Sequence, residues 1–527
     1  MLHPRTLVVC ALTIMAAWLA GCGGSSVSMQ GVGPTPVVAD YGDSMVVVPG
    51  PEYRAGWLHR IFFGDHYRDL WTDSLRVPTL DLATCAGGLT PLEAGGGFQT
   101  KSLQFQGADG RKYKFRSVDK DPTSVLPEDL RDTFAADLAQ DHISTSHPAG
   151  SLVVDYLAGA VGVPQLHPRL MMLPDDPRLG AFRGKFGGIL GVFEIYPDDG
   201  PNGTPGFLGS TNIENALKMF KAMEDNSEDR PDGVAFLTAR LLDMFVGDWD
   251  RHVKQWKWAR FERNNRKTWY PIPMDRDQAF ARLDGLLPWI AAMAVPQFES
   301  FSDEFNDIFS LTYSGRYLDR RILAEIDKPT WDSVVTLFVS HLTDAVIDSA
   351  VDQLPPEFYR LDGARLSSAL KSRRDSFRWA TDVYYGQLAS FVDVVLSDKR
   401  EYVDIVRRPG DRVELTAYRR DKKSGDREGE PVFHRVFTGG ETREIRLYLR
   451  GGDDKAVVSG DVTASIDVRI IGGKGDDELV DNSVVHGVLW GFVPFIAQAD
   501  HKTYFYDSAG ENVFVKGPGT SVNTSKE

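Results

Sequence analysis

Apolar positions along this chain change their spacing several times, and each change predicts a change of element. Val234, Leu237, Leu241 and Met244 recur at three- and four-residue steps and share one face of a helix, with Pro231 tolerated at its start. Polar residues then crowd into Gly247-Asp248-Trp249-Asp250-Arg251-His252. From Gln255 to Phe261 aromatic and polar positions alternate as in a strand, which turns at Asn264-Asn265 and returns over Thr268 to Pro273 into Asp275-Arg276-Asp277. Helix, acidic loop, hairpin and second acidic loop thus bring several oxygen ligands to one end of a small sheet.

The same reading extends over the rest of the chain. Between Glu93 and Lys120, Phe98, Thr100, Ser102 and Leu103 fall in one strand and Ala108-Asp109-Gly110 makes a turn. A second strand follows over Lys112 to Val118, with Tyr113 and Phe115 on one side and Lys114 and Arg116 on the other. Residues 127–163 pattern as helix and 185–198 as a strand entering a Pro-marked loop, while helical periodicity covers 212–245 and resumes over 286–403. Arg320-Arg321, Arg373-Arg374 and Arg378 read as charged faces of amphipathic helices or as the lining of a channel. After Lys399 helical periodicity stops, and short Val/Ile/Thr/Arg strands alternate with Gly/Asp turns as far as Leu489.

These patterns predict an α+β protein with a β-rich region at 53–198, a helical region at 199–400, an all-β module at 401–489 and a C-terminal segment at 490–527. At 527 residues, 42% of them apolar, the chain is long enough for two to four domains with sizeable cores. Residues 1–21 combine Arg5, an apolar run from Leu7 to Leu19 and small residues before Cys22, which is a secretory signal rather than a membrane span. Leu19-Ala20-Gly21-Cys22 resembles the bacterial lipobox. That resemblance implies lipidation at Cys22, signal removal, and an envelope protein anchored in the membrane, with Gly23 favouring the outer membrane. Residues 22–52 are rich in Gly, Ser, Pro and Val and read as a flexible tether. Cys10 leaves with the signal and Cys22 carries lipid, so Cys85 stands alone and no internal disulfide is expected. The net charge of −15 becomes −16 without the signal, which holds one Arg and no acid, and this argues against nucleic acid as a partner.

The acidic loops carry the chemistry. Phosphoryl transfer needs an aspartate to accept the proton of the attacking hydroxyl, an amide a few residues later to hold one magnesium ion, and an aspartate beyond a hairpin to bridge metal and phosphates. Asp250 and Gln255 have the five-residue spacing, and Asp275 with Asp277 stands beyond the hairpin. Such a sparse oxygen set suits Mg²⁺ or Mn²⁺ with a nucleotide better than a zinc cage. Asp250-Arg251-His252 followed by Gln255 resembles the D-R-H-x-x-N loop of the lipid kinases and HipA-type kinases, with Gln in place of the usual Asn. Pro273-Met274-Asp275-Arg276-Asp277 with Phe280 is similar to the P-W-D-x-D-x-x-F segment of the CotH kinases.

The resemblance to the atypical protein-kinase-like superfamily implies a two-lobed core, with a β-rich N-lobe and a helical C-lobe. It makes Asp250, Arg251 and His252 the catalytic loop, and Gln255, Asp275 and Asp277 the magnesium ligands. It also places Gly95-Gly96-Gly97 and a strand-end basic residue, Arg116 and after it Lys120, at the nucleotide phosphates, and the lobe hinge near Glu194. The helical acid that would pair the basic residue is left open among Asp137, Asp141 and Asp155.

A separate motif lies in the β module. Gly472-Gly473-Lys474-Gly475-Asp476-Asp477 matches the calcium-binding nonapeptide of RTX repeats, and Gly451-Gly452-Asp453-Asp454 is a degenerate copy whose aspartate pair lies 23 residues earlier. Calcium at Asp454 and Asp477 is one reading, and a β-solenoid or sandwich with Asp-Gly turns is the other. For the whole chain two functions stand: an envelope-anchored phosphotransferase acting on an unnamed hydroxyl acceptor, and a catalytically inactive or calcium-binding envelope scaffold.

Overall fold

The computed structural model describes residues 32–95, 100–122, 134–263, 266–292, 297, 299–486 and 500–525. Cys22, Gly96 and Gly97 therefore lie outside the described residues. The architecture is α+β, as expected. An antiparallel three-stranded sheet comes first, of β1 (Val37–Asp40), β2 (Ser44–Val47) and β3 (Leu75–Pro78). This corrects the reading of 22–52 as tether throughout. Met45 pairs with Val77 and Val47 with Leu75, Val47 is fully buried, and the Gly50 N–H donates to the Trp71 carbonyl at 2.9 Å. Composition showed Gly, Ser and Pro there, while the two-residue apolar step that pairs with β3 is too short to stand out.

The second sheet is antiparallel, ordered β4 (Leu89–Gly95), β5 (Ser102–Gly107), β6 (Lys112–Ser117), β8 (Ile189–Tyr196) and β7 (Arg169–Leu173). Its two faces differ as the alternation in β6 requires. Phe115 packs with Leu103, Phe105 and Phe193 into a closed apolar cluster, so Lys114 and Arg116 project from the opposite face. Gly191 is obligatory at the centre, because a Cβ there would stand 2.2 Å from the Phe115 ring.

A lower sheet, ordered β10 (Asp229–Pro231), β12 (Arg266–Pro273), β11 (Trp256–Arg263) and β9 (Ile213–Asn215), holds the expected hairpin as β11 and β12. Pro231 ends a strand instead of opening the helix. The helix is Gly233–Phe245, and Asp232 caps it by accepting from the Ala235 N–H at 2.9 Å. Leu237, Leu241 and Met244 are buried as the periodicity predicts, whereas Val234 faces solvent. The 26-residue helix Ala364–Ala389 lies across this region. Its Arg373 is fully buried and donates to the carbonyls of Met244 (2.8 Å) and Phe245 (2.9 Å), so this arginine closes the end of helix Gly233–Phe245 rather than lining a channel.

From Phe391 onward the chain winds as a short β-solenoid. One sheet stacks Phe391–Val395, Glu444–Gly451, Asp467–Lys474, Thr503–Tyr506 and Thr520–Asn523, all in parallel. The facing sheet stacks Glu401–Arg408, Lys455–Ser459, Glu478–Asp481 and Val513–Val515 in parallel and extends through the antiparallel strands Arg412–Arg420 and Arg427–Thr438. Strands beyond Leu489 complete both stacks, so residues 500–523 are part of the solenoid.

The two Gly/Asp turns lie on consecutive rungs. The Glu401 N–H donates to Asp454 Oδ1 (2.7 Å), the Asp454 N–H to Asp477 Oδ1 (2.8 Å) and the Asp477 N–H to Asn512 Oδ1 (2.9 Å). Turn backbones touch so closely that a Cβ on Gly475, at φ +127°, would stand 1.7 Å from the Gly452 carbonyl oxygen. Asp454 and Asp477 each use one oxygen in the ladder, whereas one oxygen of Glu401 accepts from Ser397 Oγ and one of Asp507 from the Ala509 N–H. Glu401 Oε2 and the Oδ2 atoms of Asp454, Asp477 and Asp507 are buried without a partner. Among the described residues no three His, Cys, Asp or Glu side chains are grouped to hold a metal ion.

Burial raises these carboxyls, and neighbouring acids add to it: Asp454, beside Glu401 and Asp477, to about 10, Glu401, beside Asp398, to about 8 and Asp477, beside Asp507 and Asp453, to about 7. The folded state therefore binds these protons more tightly than the unfolded chain, and the stability they confer is complete near pH 4 and lost as pH rises through 7 to 10. We expect the melting midpoint of the solenoid strands, followed by amide exchange, to fall over that range. Asp454→Asn keeps the accepting oxygen and removes the charge, so it should gain about 1–3 kcal/mol at pH 9 and flatten the dependence. A midpoint that rises with pH in the wild type would refute the ladder as a protonated stack.

Candidate functional site

Helix Gly233–Phe245 carries two charged residues inside an apolar run, and the site is assembled on them. Arg240 and Asp243 are both buried. Arg240 grips Asp319 through two bonds (2.7 and 3.0 Å) and donates to Asp243 at 2.7 Å. Asp243 also accepts from Arg276 Nη1 and forms an ion pair with Arg251, whose Nε lies 3.2 Å away. One carboxylate thus ties the loop that follows the helix to the loop that follows the hairpin. Backbone bonds complete the frame, from Phe280 to Val246 (2.8 Å) and from Met274 to Gln255 (2.9 Å).

Arg251 is fully buried and donates from Nη1 to Gln255 Oε1 (2.7 Å), the Met274 carbonyl (2.6 Å) and the Asp275 carbonyl (2.9 Å), with its guanidinium over Trp256. Its place is that of a positioning residue, since no face of it is open to a substrate. Asp250 is partly exposed and accepts from Gln255 Nε2 at 3.3 Å, and burial raises its carboxyl above the ordinary aspartate value. His252 lies half exposed, with Nε2 3.9 Å from Asp250 Oδ1 and Nδ1 accepting from the Lys254 N–H. Asp250 and Gln255 therefore do meet, but Gln255 shares its carbonyl oxygen with Arg251.

The second loop reaches up to the five-stranded sheet. Arg116 Nη1 lies 2.7 Å from Asp275 Oδ2, and Lys120 donates to Asp277 Oδ2 at 2.5 Å. Both basic residues left open by the sequence are thus engaged, one with each aspartate. Asp275 holds φ +56°, an uncommon left-handed conformation for a side-chain-bearing residue, and its Oδ1 is buried without a partner. Burial works against ionisation of Asp277, but Lys120 and Arg116 outweigh it and hold the carboxyl at about 2. Asp248 has the opposite fate. Both its oxygens are buried without a hydrogen bond, Arg251 is 3.7 Å away, and burial together with the charges of Asp277, Asp250 and Asp275 pushes it to about 7.

The acid that pairs Arg116 comes from a strand. Glu194, on β8 beside β6, accepts from Arg116 Nη2 at 2.9 Å. None of the three helical acids does this. Asp141 binds Arg68 through two bonds of 2.7 Å, Asp155 accepts from the Leu166 N–H at 2.8 Å, and Asp137 is exposed. What the helix Phe134–Asp141 contributes is Gln140, whose Nε2 donates to the Lys120 carbonyl at 3.0 Å. Gly95 closes strand β4 on the exposed side. Asp243, Asp248, Glu194 and Asp319 of the charged cluster are buried with Arg240 and Arg251, while Asp250, Asp275 and Asp277 are partly exposed toward Arg116 and Lys120.

Asp243 was not singled out by sequence reasoning. A signal existed, because Arg240 and Asp243 stand one helical turn apart within Phe236-Leu237-Thr238-Ala239-Arg240-Leu241-Leu242-Asp243-Met244-Phe245, where a charged pair must be buried together. Glu194 had no comparable signal beyond its place near a strand end.

No family model matches this chain, and no curated protein matches it. Among solved structures it is similar to a proinflammatory kinase of Helicobacter pylori, CtkA, at 11% identity over 54% of this chain and 95% of that one, with a TM-score of 0.29. A likeness at that score equates neither fold nor function.

Arg251 and Asp250 should separate cleanly in stability. Arg251→Met leaves Asp243 and Asp248 short of a cation in the interior and is expected to cost about 3–5 kcal/mol in urea unfolding. Asp250→Ala, at a partly exposed position, should cost about 1 kcal/mol or less. Equal losses would show that the loop does not hang on Arg251.

Proposed function

We propose that this chain is an envelope-anchored, kinase-like phosphotransferase that uses a magnesium nucleotide. The observation that carries the reading is the crossing of Arg116 to Asp275 and of Lys120 to Asp277, from the upper sheet to the loop beyond the hairpin, with Asp250 and Gln255 beside them. Phosphoryl transfer calls for cations on one side of the phosphates and metal-binding acids on the other, and these pairs bring the two sets together.

The donor set is compatible with magnesium. Asp275 has an orphaned buried oxygen and Gln255 has a side-chain carbonyl. Mg²⁺, or Mn²⁺ in its place, needs few protein ligands because it keeps waters and phosphate oxygens. Asp275 and Gln255 would hold it with Asp277 adjacent, and when bound it supplies charge neutralisation at the phosphates. Arg116 and Lys120 would pass from the aspartates to phosphate oxygens. Asp250 would accept the proton of the acceptor hydroxyl, a role its raised carboxyl favours. The lipobox at Cys22 would hold the enzyme at the bacterial envelope, most consistently the outer membrane.

A second reading is an inactive scaffold on the same frame. It is favoured by the commitment of Gln255 Oε1 to Arg251 and by the neutralisation of both basic residues by aspartates. Thermal shift with nucleotides and Mg²⁺ or Mn²⁺ separates the two. Asp275→Ala with Asp277→Ala should abolish the metal-dependent shift, while Asp250→Ala should keep the shift and lose phosphoryl transfer, since the base acts only at the reacting hydroxyl. A wild type that shifts with no nucleotide hands the site to the scaffold reading.

A further inference from the structure

Two short helices on this protein carry their apolar residues on the outward face. In helix Trp57–Phe63, Trp57 is 75% exposed, Leu58 47% and Ile61 56%, while Phe63 is buried. In helix Leu286–Ala292, Leu286 is 40% exposed and Trp289 61%, while Leu287 is buried. The spacings 57, 58, 61 and 286, 289 each define one side of a helix, so neither pattern is random scatter. The helices are neighbours. A Cβ on Gly285 would stand 2.4 Å from the Gly64 nitrogen, and the His66 N–H donates to Asp284 Oδ1 at 2.8 Å, which pins the end of one helix to the start of the other. Polar groups beside the patch already have partners, Arg60 in Asp65 and Asp69, and His59 in Asp141.

We propose that this face docks on the lipid surface to which the chain is anchored, an inference that rests on the reading of Cys22 as the lipidated residue. Val32, where the described structure begins, is the tenth residue after Cys22, and ten extended residue steps span at most about 35 Å. The folded part is thereby confined to the neighbourhood of the bilayer. A net charge of −16 without the signal gives it no overall electrostatic attraction to anionic headgroups, so contact with the bilayer has to come from apolar insertion. Trp, Leu and Ile on a helix face suit that insertion, because the indole ring partitions into the headgroup boundary while the aliphatic side chains enter the acyl region. Docking of this face would fix which way the candidate site points from the membrane.

The experiment reads tryptophan emission from the lipidated full chain in phosphatidylcholine vesicles whose acyl chains carry bromine. Of the eleven tryptophans, Trp18 leaves with the signal. The wild type should be quenched relative to unbrominated vesicles, and Trp57→Phe with Trp289→Phe should remove at least half of that quenching without moving the melting midpoint. Equal quenching in the two proteins, or none in the wild type, overturns the proposal. Mass analysis of the N-terminal peptide in the same sample reports whether Cys22 carries lipid, so failure of the anchor is distinguished from failure of docking. Chain beginning at Gly23, with neither signal nor lipid, mixed with the same vesicles at millimolar lipid repeats the comparison without an anchor. Quenching that depends on the two tryptophans there upholds docking even if the anchor reading fails, and its absence in both arms removes it. A concentration-dependent dimer abolished by the double substitution would assign the face to a second copy of the chain and also overturn docking.

Discussion

Asp243 is the constraint on which the candidate site depends. A carboxylate at zero exposure is costly to keep ionised unless cations and hydrogen bonds replace the water it has lost. Here Arg240, Arg251 and Arg276 come to it from the helix itself, from the loop after the helix and from the loop after the hairpin. The solution to one burial problem is therefore also the device that sets two loops side by side. Arg251 then passes the constraint on, because the guanidinium held by Asp243 also fixes Gln255 Oε1 and the carbonyls of Met274 and Asp275. Asp250 and Asp275 owe their relative placement to groups that never face the cleft.

The upper sheet is tied in by a second set of charges, and the two sets are coupled. Asp277, held at about 2 by Lys120 and Arg116, stays ionised through any physiological pH, and its permanent charge is among those that push Asp248 to about 7. Adding a phosphate to Arg116 and Lys120 would remove their compensation from Asp275 and Asp277, and those carboxylates would then require another cation. On the proposed reading, anion and metal would consequently bind with mutual support, each relieving the charge that the other leaves exposed.

Much of this frame was legible in the sequence, in proportion to how local its cause is. The hairpin Trp256–Pro273, the sidedness of Lys112–Ser117 and the change to stacked short strands after Lys399 all follow from periodicity over a few residues. Strands β1 and β2 were missed, because four-residue strands acquire their meaning only from β3, some thirty residues on. Glu194 was missed as the partner of Arg116, since a strand-to-strand ion pair depends on register rather than on spacing along the chain. The acid ladder was half seen. Asp454 and Asp477 stood out as a repeated motif, but Glu401 and Asn512 join them only because the rungs stack, and no single turn reveals that.

The protein thus buries acids in two different ways, and the difference has a consequence. Around Asp243 guanidinium groups replace water, which fixes direction as well as charge, since each planar fork accepts only certain geometries. In the solenoid backbone N–H groups satisfy one oxygen of Asp454 and Asp477, and protons rather than cations relieve the rest. In the first arrangement the arginines keep their charge through moderate changes of pH, and the group there that titrates near neutrality is Asp248 beside them. The second is loosened by alkali and tightened by acid. Arg419 with Glu228 and Arg450 with Glu224 join the solenoid to the region that carries the candidate site. Loosening of the rungs by alkali would therefore be felt first at these exposed or half-exposed pairs and last at Asp243, which the arginines hold from inside.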